Sequence, residues 1–149
     1  MVKLSKSDIG RRFYGPSKTL TDAHFLMFSA ITGDAHPIHY DVEYARNTKF
    51  GAPVAHGLLL SGLMALGASD ARVELENMAM VEQGTQFLKP VKVGDTVHPV
   101  FEILDIYEDK NNRSFCRFET TLLNHVGEAM AKGFHVYQFV SRLEKGQNA

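Results

Sequence analysis

Cysteine is all but missing: Cys116 is the only one in 149 residues, so an internal disulfide framework and a thiolate metal cluster are both excluded. Its neighbours alternate as in a strand, so the thiol is expected to be inert and half-buried. Charge of one sign is missing too. Sixteen Lys and Arg against seventeen Asp and Glu leave a formal net charge of −1, too little to draw the chain to nucleic acid or an anionic membrane. Lys and Arg are scattered, so no nucleic-acid face is supported. No hydrophobic run is long enough for a bilayer. The longest, 54–68, is broken by His56, Ser61 and three glycines. The opening ten residues carry no signal-peptide core, and a soluble cytoplasmic protein with no membrane partner is the expectation. Phosphate-loop and dinucleotide-binding glycine patterns are absent. Ser61 lies inside Leu-Leu-Ser-Gly-Leu, without the glycine-flanked turn that exposes a hydrolase nucleophile.

What is present is ordinary globular composition, 44% hydrophobic and 22% charged, in a length that suits one domain over 1–149. Arg11 to Lys18 reads as a short extended segment interrupted by Gly15-Pro16. Thr21 suits a helix N-cap, Asp22 favours that end of the dipole, and Gly33 suits the C-terminal cap. Between them Phe25, Met27/Phe28 and Ile31/Thr32 form an approximate helical stripe. Pro37 forbids helix across 34–41, and Asp41 caps a short second helix over 42–46. The run Leu58–Ala68 predicts a helix apolar almost all round and buried on most faces. Polarity returns at Asp70 to Asn77.

The C-terminal half changes to period two. Strands are predicted over 79–88, 96–107, 114–124 and 128–140, with a hairpin tip at 109–112, a turn at 125–127 and a polar tail from Ser141. The fold class is therefore α+β: an antiparallel sheet wrapped around a central apolar helix. A single sheet with one core helix leaves an edge and a face to cover, which predicts a dimer.

The chemistry-bearing stretch is Phe28-Ser-Ala-Ile-Thr-Gly33-Asp34-Ala-His36-Pro37-Ile-His39-Tyr-Asp41. It sets a carboxylate and two imidazoles on a proline-locked turn just after a helix. Asp34 and His39 can point into one pocket there, as an acid/base pair. Taken singly, Asp34 is equally an Asx-turn former, His39 a turn or core histidine, Gly57 a packing glycine and His36 a prop for the loop. His56 is read as shaping the loop before the helix. Asp34, His36, His39 and Asp41 also contain the donors of a two-histidine carboxylate metal site. Pro37 and the absence of helical i, i+4 spacing argue against it, and the reading adopted is no metal.

These residues resemble the MaoC-like (R)-specific enoyl-CoA hydratase family, which has the hot-dog fold. The family pattern, an aromatic and small residues followed by Gly-Asp-x-Asn-Pro-aliphatic-His, stands here as Phe28 to His39. Asp41-Val-Glu-Tyr44-Ala45, Phe50-Gly51-Ala-Pro53-Val-Ala-His56-Gly57 and Leu88-Lys89-Pro90-Val-Lys92-Val-Gly94-Asp95-Thr96 also match. The resemblance runs from Gly10 to Val140. One departure is plain: His36 stands where the family has asparagine. Its imidazole either replaces the amide's hydrogen bond or adds charge beside Asp34.

The resemblance implies that Asp34 and His39 are the catalytic pair and that the Gly57 backbone N–H is the oxyanion donor. It implies a trans-2-enoyl thioester of coenzyme A as substrate, an (R)-3-hydroxyacyl thioester as product, and no cofactor beyond the coenzyme A of the substrate. A homodimer or a larger assembly of dimers is expected, with Arg46, Lys49, Lys89 or Lys92 meeting the CoA phosphates. Two alternatives are a hot-dog thioesterase and a non-catalytic acyl-thioester binding protein.

Overall fold

The computed structural model describes residues 4–73 and 77–139, so the tail from Ser141 and the last residue of the final expected strand lie outside the described residues. Strands β1 (Arg12–Tyr14), β2 (Lys18–Thr19), β3 (Met78–Phe87), β4 (Thr96–Glu108), β5 (Ser114–Asn124) and β6 (Ala129–Phe139) form one antiparallel sheet. Its order is β1-β4-β5-β6-β3, with β2 also on β4. β3 is thus an edge strand. The alternation that predicted the strands is the register itself: Ile103, Phe118 and His135 lie opposite one another, as do Phe101, Thr120 and Gly133. These residues line the inner face, while Glu102, Glu119 and Lys132 face outward. The hairpin tip turns at Asn112, with φ 58°, and the next turn at Gly127, with φ 83°.

Helix α1 (Asp22–Thr32) begins and ends where its cap residues predict. The His24 ring reaches back so that its Nδ1 accepts the Thr21 N–H at 2.9 Å, doing the work of a capping-box Glu or Gln. Gly33 closes the helix at φ 79°, and its N–H donates to the Ser29 carbonyl at 2.8 Å. The expected apolar stripe is corrected: Phe25 alone is buried, while Met27 and Ile31 (84% exposed) face outward. Helix α2 (Val42–Arg46) is capped by Asp41, whose Oδ1 accepts the Tyr44 N–H at 2.9 Å.

The central helix also departs from expectation. Helix α3 (Gly57–Leu63) covers seven residues, and the chain continues as 3-10 turns over Leu66–Ala68 and Asp70–Val73. Gly62 and Gly67 lower helix propensity through the second half of the run, and no side chain caps the His56 end. Burial is one-sided as well. Leu60 and Met64 join the core, whereas Leu58 is 68% exposed. The core remains continuous across the helix and the inner face of the sheet: Leu60, Met64 and Leu66 pack in one cluster with Phe101, Ile103, Phe118 and Leu122. Each such side chain contributes about 1.5–3 kcal/mol by leaving water. Cys116 is fully buried, deeper than expected. No described helix is long and apolar enough to cross a membrane.

Candidate active site

The site is assembled from three short segments. The first is the turn after α1. Here Pro37 fixes the start of a 3-10 turn over Pro37–His39, and His36 caps it by accepting the Ile38 N–H on Nδ1 at 3.2 Å. A ring nitrogen thereby does what an asparagine side-chain oxygen does at such a position. The bond observed for His36 is thus this cap on its own turn. Its ring centroid lies 5.6 Å from that of Tyr44 and 6.3 Å from that of His39.

The second segment is the loop from Thr48 to His56, stitched down on both sides. The Val54 N–H donates to the Ile38 carbonyl at 3.2 Å, and the Ala55 N–H to the Val91 carbonyl at 2.8 Å. Val54 also bridges to Lys92. The Val54 carbonyl lies 2.7 Å from His39 Nδ1. A carbonyl can only accept, so Nδ1 carries the ring hydrogen and Nε2 presents a lone pair. Thus the loop sets the His39 tautomer.

The third segment is the start of α3. Gly57 is its first residue, so its N–H is among those that a helix leaves without an internal partner. A Cβ built at Gly57 would lie 3.0 Å from two ring atoms of Phe87. Glycine therefore leaves room for the Phe87 ring at this residue.

These segments bring Asp34, His39 and His56 together: a carboxylate oxygen and one ring nitrogen from each histidine all lie within 4.8 Å of one another. Asp34 is exposed, His39 half-buried and His56 buried. Among the described residues no backbone N–H donates to the Asp34 carboxylate; the Asp34 N–H itself donates to Thr32 Oγ1 at 3.2 Å. The Asx-turn role is thus not the one Asp34 plays. Asp41 is taken up as the cap of α2, and His36 as the cap of its own turn. Neither belongs to the converging group.

The member that sequence reasoning undervalued is His56. Its ring stacks on that of His39 with centroids 3.6 Å apart and planes 22° apart. Its Nε2 lies 3.0 Å from the Asp34 carbonyl and 3.1 Å from Ser29 Oγ. Burial lowers its pKa, opposed by the bond to the Asp34 carbonyl and helped by the neighbouring His39. Its Nδ1 is buried with no partner, a deficit that typically costs about 1–3 kcal/mol. The one available signal was position, since His56 directly precedes Gly57 in the approach to the helix.

The donor set Asp34, His39 and His56 has the composition of a facial metal triad, but the ring geometry does not suit one. Histidine lone pairs lie in the ring plane, so two near-parallel rings at 3.6 Å direct them side by side rather than toward a common ion. The arrangement fits proton chemistry better: an exposed carboxylate and a tautomer-fixed imidazole acting on one small molecule.

The sequence matches the family model described as MaoC like domain over residues 5–124. The chain belongs to the MaoC-like hydratase/dehydratase family. Among its MaoC-like relatives is the (R)-specific enoyl-CoA hydratase of Rhodospirillum rubrum, 29% identical over 105 residues, which are 70% of this chain and 70% of that protein. The (R)-specific enoyl-CoA hydratase of Aeromonas caviae is 33% identical over 94 residues, 63% of this chain and 69% of that protein. A solved structure of the (R)-hydratase from A. caviae superposes with a TM-score of 0.78 at 28% identity, covering 91% of this chain and 99% of that one. The hot-dog architecture of this MaoC-like chain is thereby shown.

A cavity of about 870 Å³ lies elsewhere, at the far end of the sheet, among residues that include Lys6, Tyr107, Arg113 and Phe139. None of Asp34, His39, His56 or Gly57 lines it.

Proposed function

We propose that this chain interconverts a trans-2-enoyl thioester of coenzyme A and the (R)-3-hydroxyacyl thioester. The observation that carries the reading is the convergence of the Asp34 carboxylate and the His39 ring within 4.8 Å, with His39 Nδ1 tied to the Val54 carbonyl. In the neutral ring the second nitrogen is then left with a lone pair that can act as a base. Water held between the two loses a proton to the pair as its oxygen bonds to C3 of the enoyl group. The C2–C3 double-bond electrons move toward the thioester carbonyl, and the enolate is quenched when the pair returns a proton to C2. Dehydration is the same sequence reversed. Charge that develops on the thioester oxygen is placed against the Gly57 N–H, a contribution typically worth about 3 kcal/mol of the barrier. Because α3 has only two turns, that help comes mostly from the orphan amide itself rather than from a long helix dipole. The chemistry calls for no cofactor beyond the coenzyme A carried by the substrate.

We further propose a homodimer, or a larger assembly of dimers, in the cytoplasm. The support is exposed apolar surface and an open edge: Leu26, Met27, Ile31 and Leu58 are exposed large apolar residues, and the edge strand β3 presents Met80 and Val81. A second copy paired against β3 would remove that edge. Arg46 and Lys89 are engaged with Glu43 and Glu128; both pairs are exposed and weak enough to yield to a phosphate.

The experiment is incubation with crotonyl-CoA and longer enoyl-CoAs, following the conjugated chromophore and free thiol together, with light scattering on the eluted protein. Loss of absorbance without thiol supports hydration by this chain. Thiol release indicates a thioesterase instead, and tight binding without either change a non-catalytic module.

A further inference from the structure

His56 is 2% exposed, and the reaction sequence above gives it nothing to do. Its surroundings are nevertheless specific. Because the Asp34 carbonyl at 3.0 Å only accepts, His56 Nε2 carries the hydrogen. In the neutral ring the lone pair then sits on Nδ1, where it is buried and unpartnered. Phe28 packs against this ring with centroids 4.7 Å apart, and the His39 ring stacks on it at 3.6 Å. The next residue along the chain is Gly57. One side chain thus holds the backbone of the carboxylate, lies flat against the imidazole and is covalently joined to the amide donor.

We propose that His56 is the positioning residue of the site: its ring plane orients His39, and its N–H anchors the main chain of Asp34, in register with the Gly57 amide. A side chain kept only to fill space would be better as leucine or phenylalanine, which leave no lone pair buried. The catalytic consequence rests on the hydration reading; the geometric claim does not.

The test uses three variants. His56→Phe keeps a flat ring and removes the N–H. His56→Gln offers an N–H near the Nε2 position and removes the ring. His56→Ala removes both. Two readouts are taken on each: long-range 1H–15N spectra of the histidine rings, which report the His39 tautomer, and kcat and KM for crotonyl-CoA. Wild-type protein is expected to show His39 as one tautomer, with hydrogen on Nδ1. In His56→Ala the His39 ring loses the stacked plane that keeps its Nδ1 against the Val54 carbonyl, so it is expected to mix tautomers, and kcat to fall about 100-fold with KM within about twofold, as expected when catalytic groups stay present but misaligned. His56→Phe and His56→Gln are each expected to retain part of the loss, with kcat down about tenfold and a melting temperature at or near that of wild type. Should His56→Ala fail to fold, the two space-filling variants carry the test. A His39 tautomer and kcat unchanged in Phe and Gln would overturn the proposal. So would a loss of kcat that only tracks a loss of melting temperature. If the wild-type enzyme hydrates no enoyl thioester, the hydration reading falls and the tautomer spectra alone decide the role of His56.

Discussion

Two histidines are each 2% exposed and each leaves Nδ1 without a partner, yet their surroundings differ in kind. His135, on β6, faces the inner side of the sheet, with the rings of Phe101 and Tyr137 about it at 6.2 and 6.1 Å. Burial alone pushes its pKa down to about 4. His56 lies between an apolar wall and a polar turn, where desolvation is partly offset by its bond to the Asp34 carbonyl. Around His135 removal from water acts on a solitary group. Around His56 it acts on groups already tied to one another, so orientation is fixed as well as protonation. Burial of a titratable group is common to core and site. Coupling to a second and third functional group is what sets the site apart.

The largest effects should come from breaking that coupling at the two groups to which the proposed function assigns the water. Asp34→Asn and His39→Gln are each expected to lower hydration about 10²–10⁴-fold, the usual range for a lost general acid or base. The Asp34 carboxylate is exposed and receives no backbone N–H among the described residues, so its melting temperature should stay within about 2 °C of wild type. The matching change in the core, His135→Leu, should leave kcat unaltered. Near wild-type turnover in either site variant, or a collapse of turnover in His135→Leu, would erase the distinction.

On the sheet side the largest loss should come from stability alone. A Cβ built at Gly133 would sit 1.9 Å from the Gly84 carbonyl oxygen and 3.0 Å from Thr85 Cα. Since the neighbour is backbone, β3 and β6 must part. Gly133→Ala should cost about 3 kcal/mol, roughly 10 °C in melting temperature for a domain of this size. A melt within 2 °C of wild type would show that this edge pair tolerates the separation.

His135 itself predicts an acid limb. Its folded pKa lies below the ordinary 6.5, so the unfolded chain binds the proton more readily. The penalty is absent above pH 6.5, grows as pH falls from 6.5 toward 4, and is constant below. The full shift corresponds to at most about 3 kcal/mol. Melting temperature should therefore fall through this window, and His135→Leu should flatten the fall. If the acid limb of the variant superposes on that of wild type, His135 is not its source.

What was legible in the chain was local. Thr21 and Gly33 bound α1 because cap chemistry is decided within a few residues. The strand alternation is equally local, and Pro37 was enough to place Asp34 and His39 on one turn. What was not legible depends on contacts far along the chain. Which side of α3 is buried is set by what the core covers, so Leu60 lies inside while Leu58 is 68% exposed. The role of His56 comes from Asp34, twenty-two positions away, and from a ring stacked across a loop. Met27 and Ile31 kept a helical spacing yet lie outside, because periodicity tells which residues share a face without telling what that face meets.

The smallest expected effect tests whether the core is as dry as His135 implies. Cys116 is fully buried in the same interior, and its thiol pKa is pushed up to about 12, first by burial and then by the negative charges of Asp105 and Asp8. Only the thiolate reacts with thiol reagents. The folded protein should therefore remain unlabelled by a soluble thiol reagent over hours at neutral pH, while the denatured chain takes up one equivalent. His135 and Cys116 share one desolvated face: Cys116 lies opposite Tyr137, and Phe118 opposite His135. Rapid labelling of the native chain would mean that water reaches this layer, and the depressed His135 pKa would lose its cause along with the acid limb.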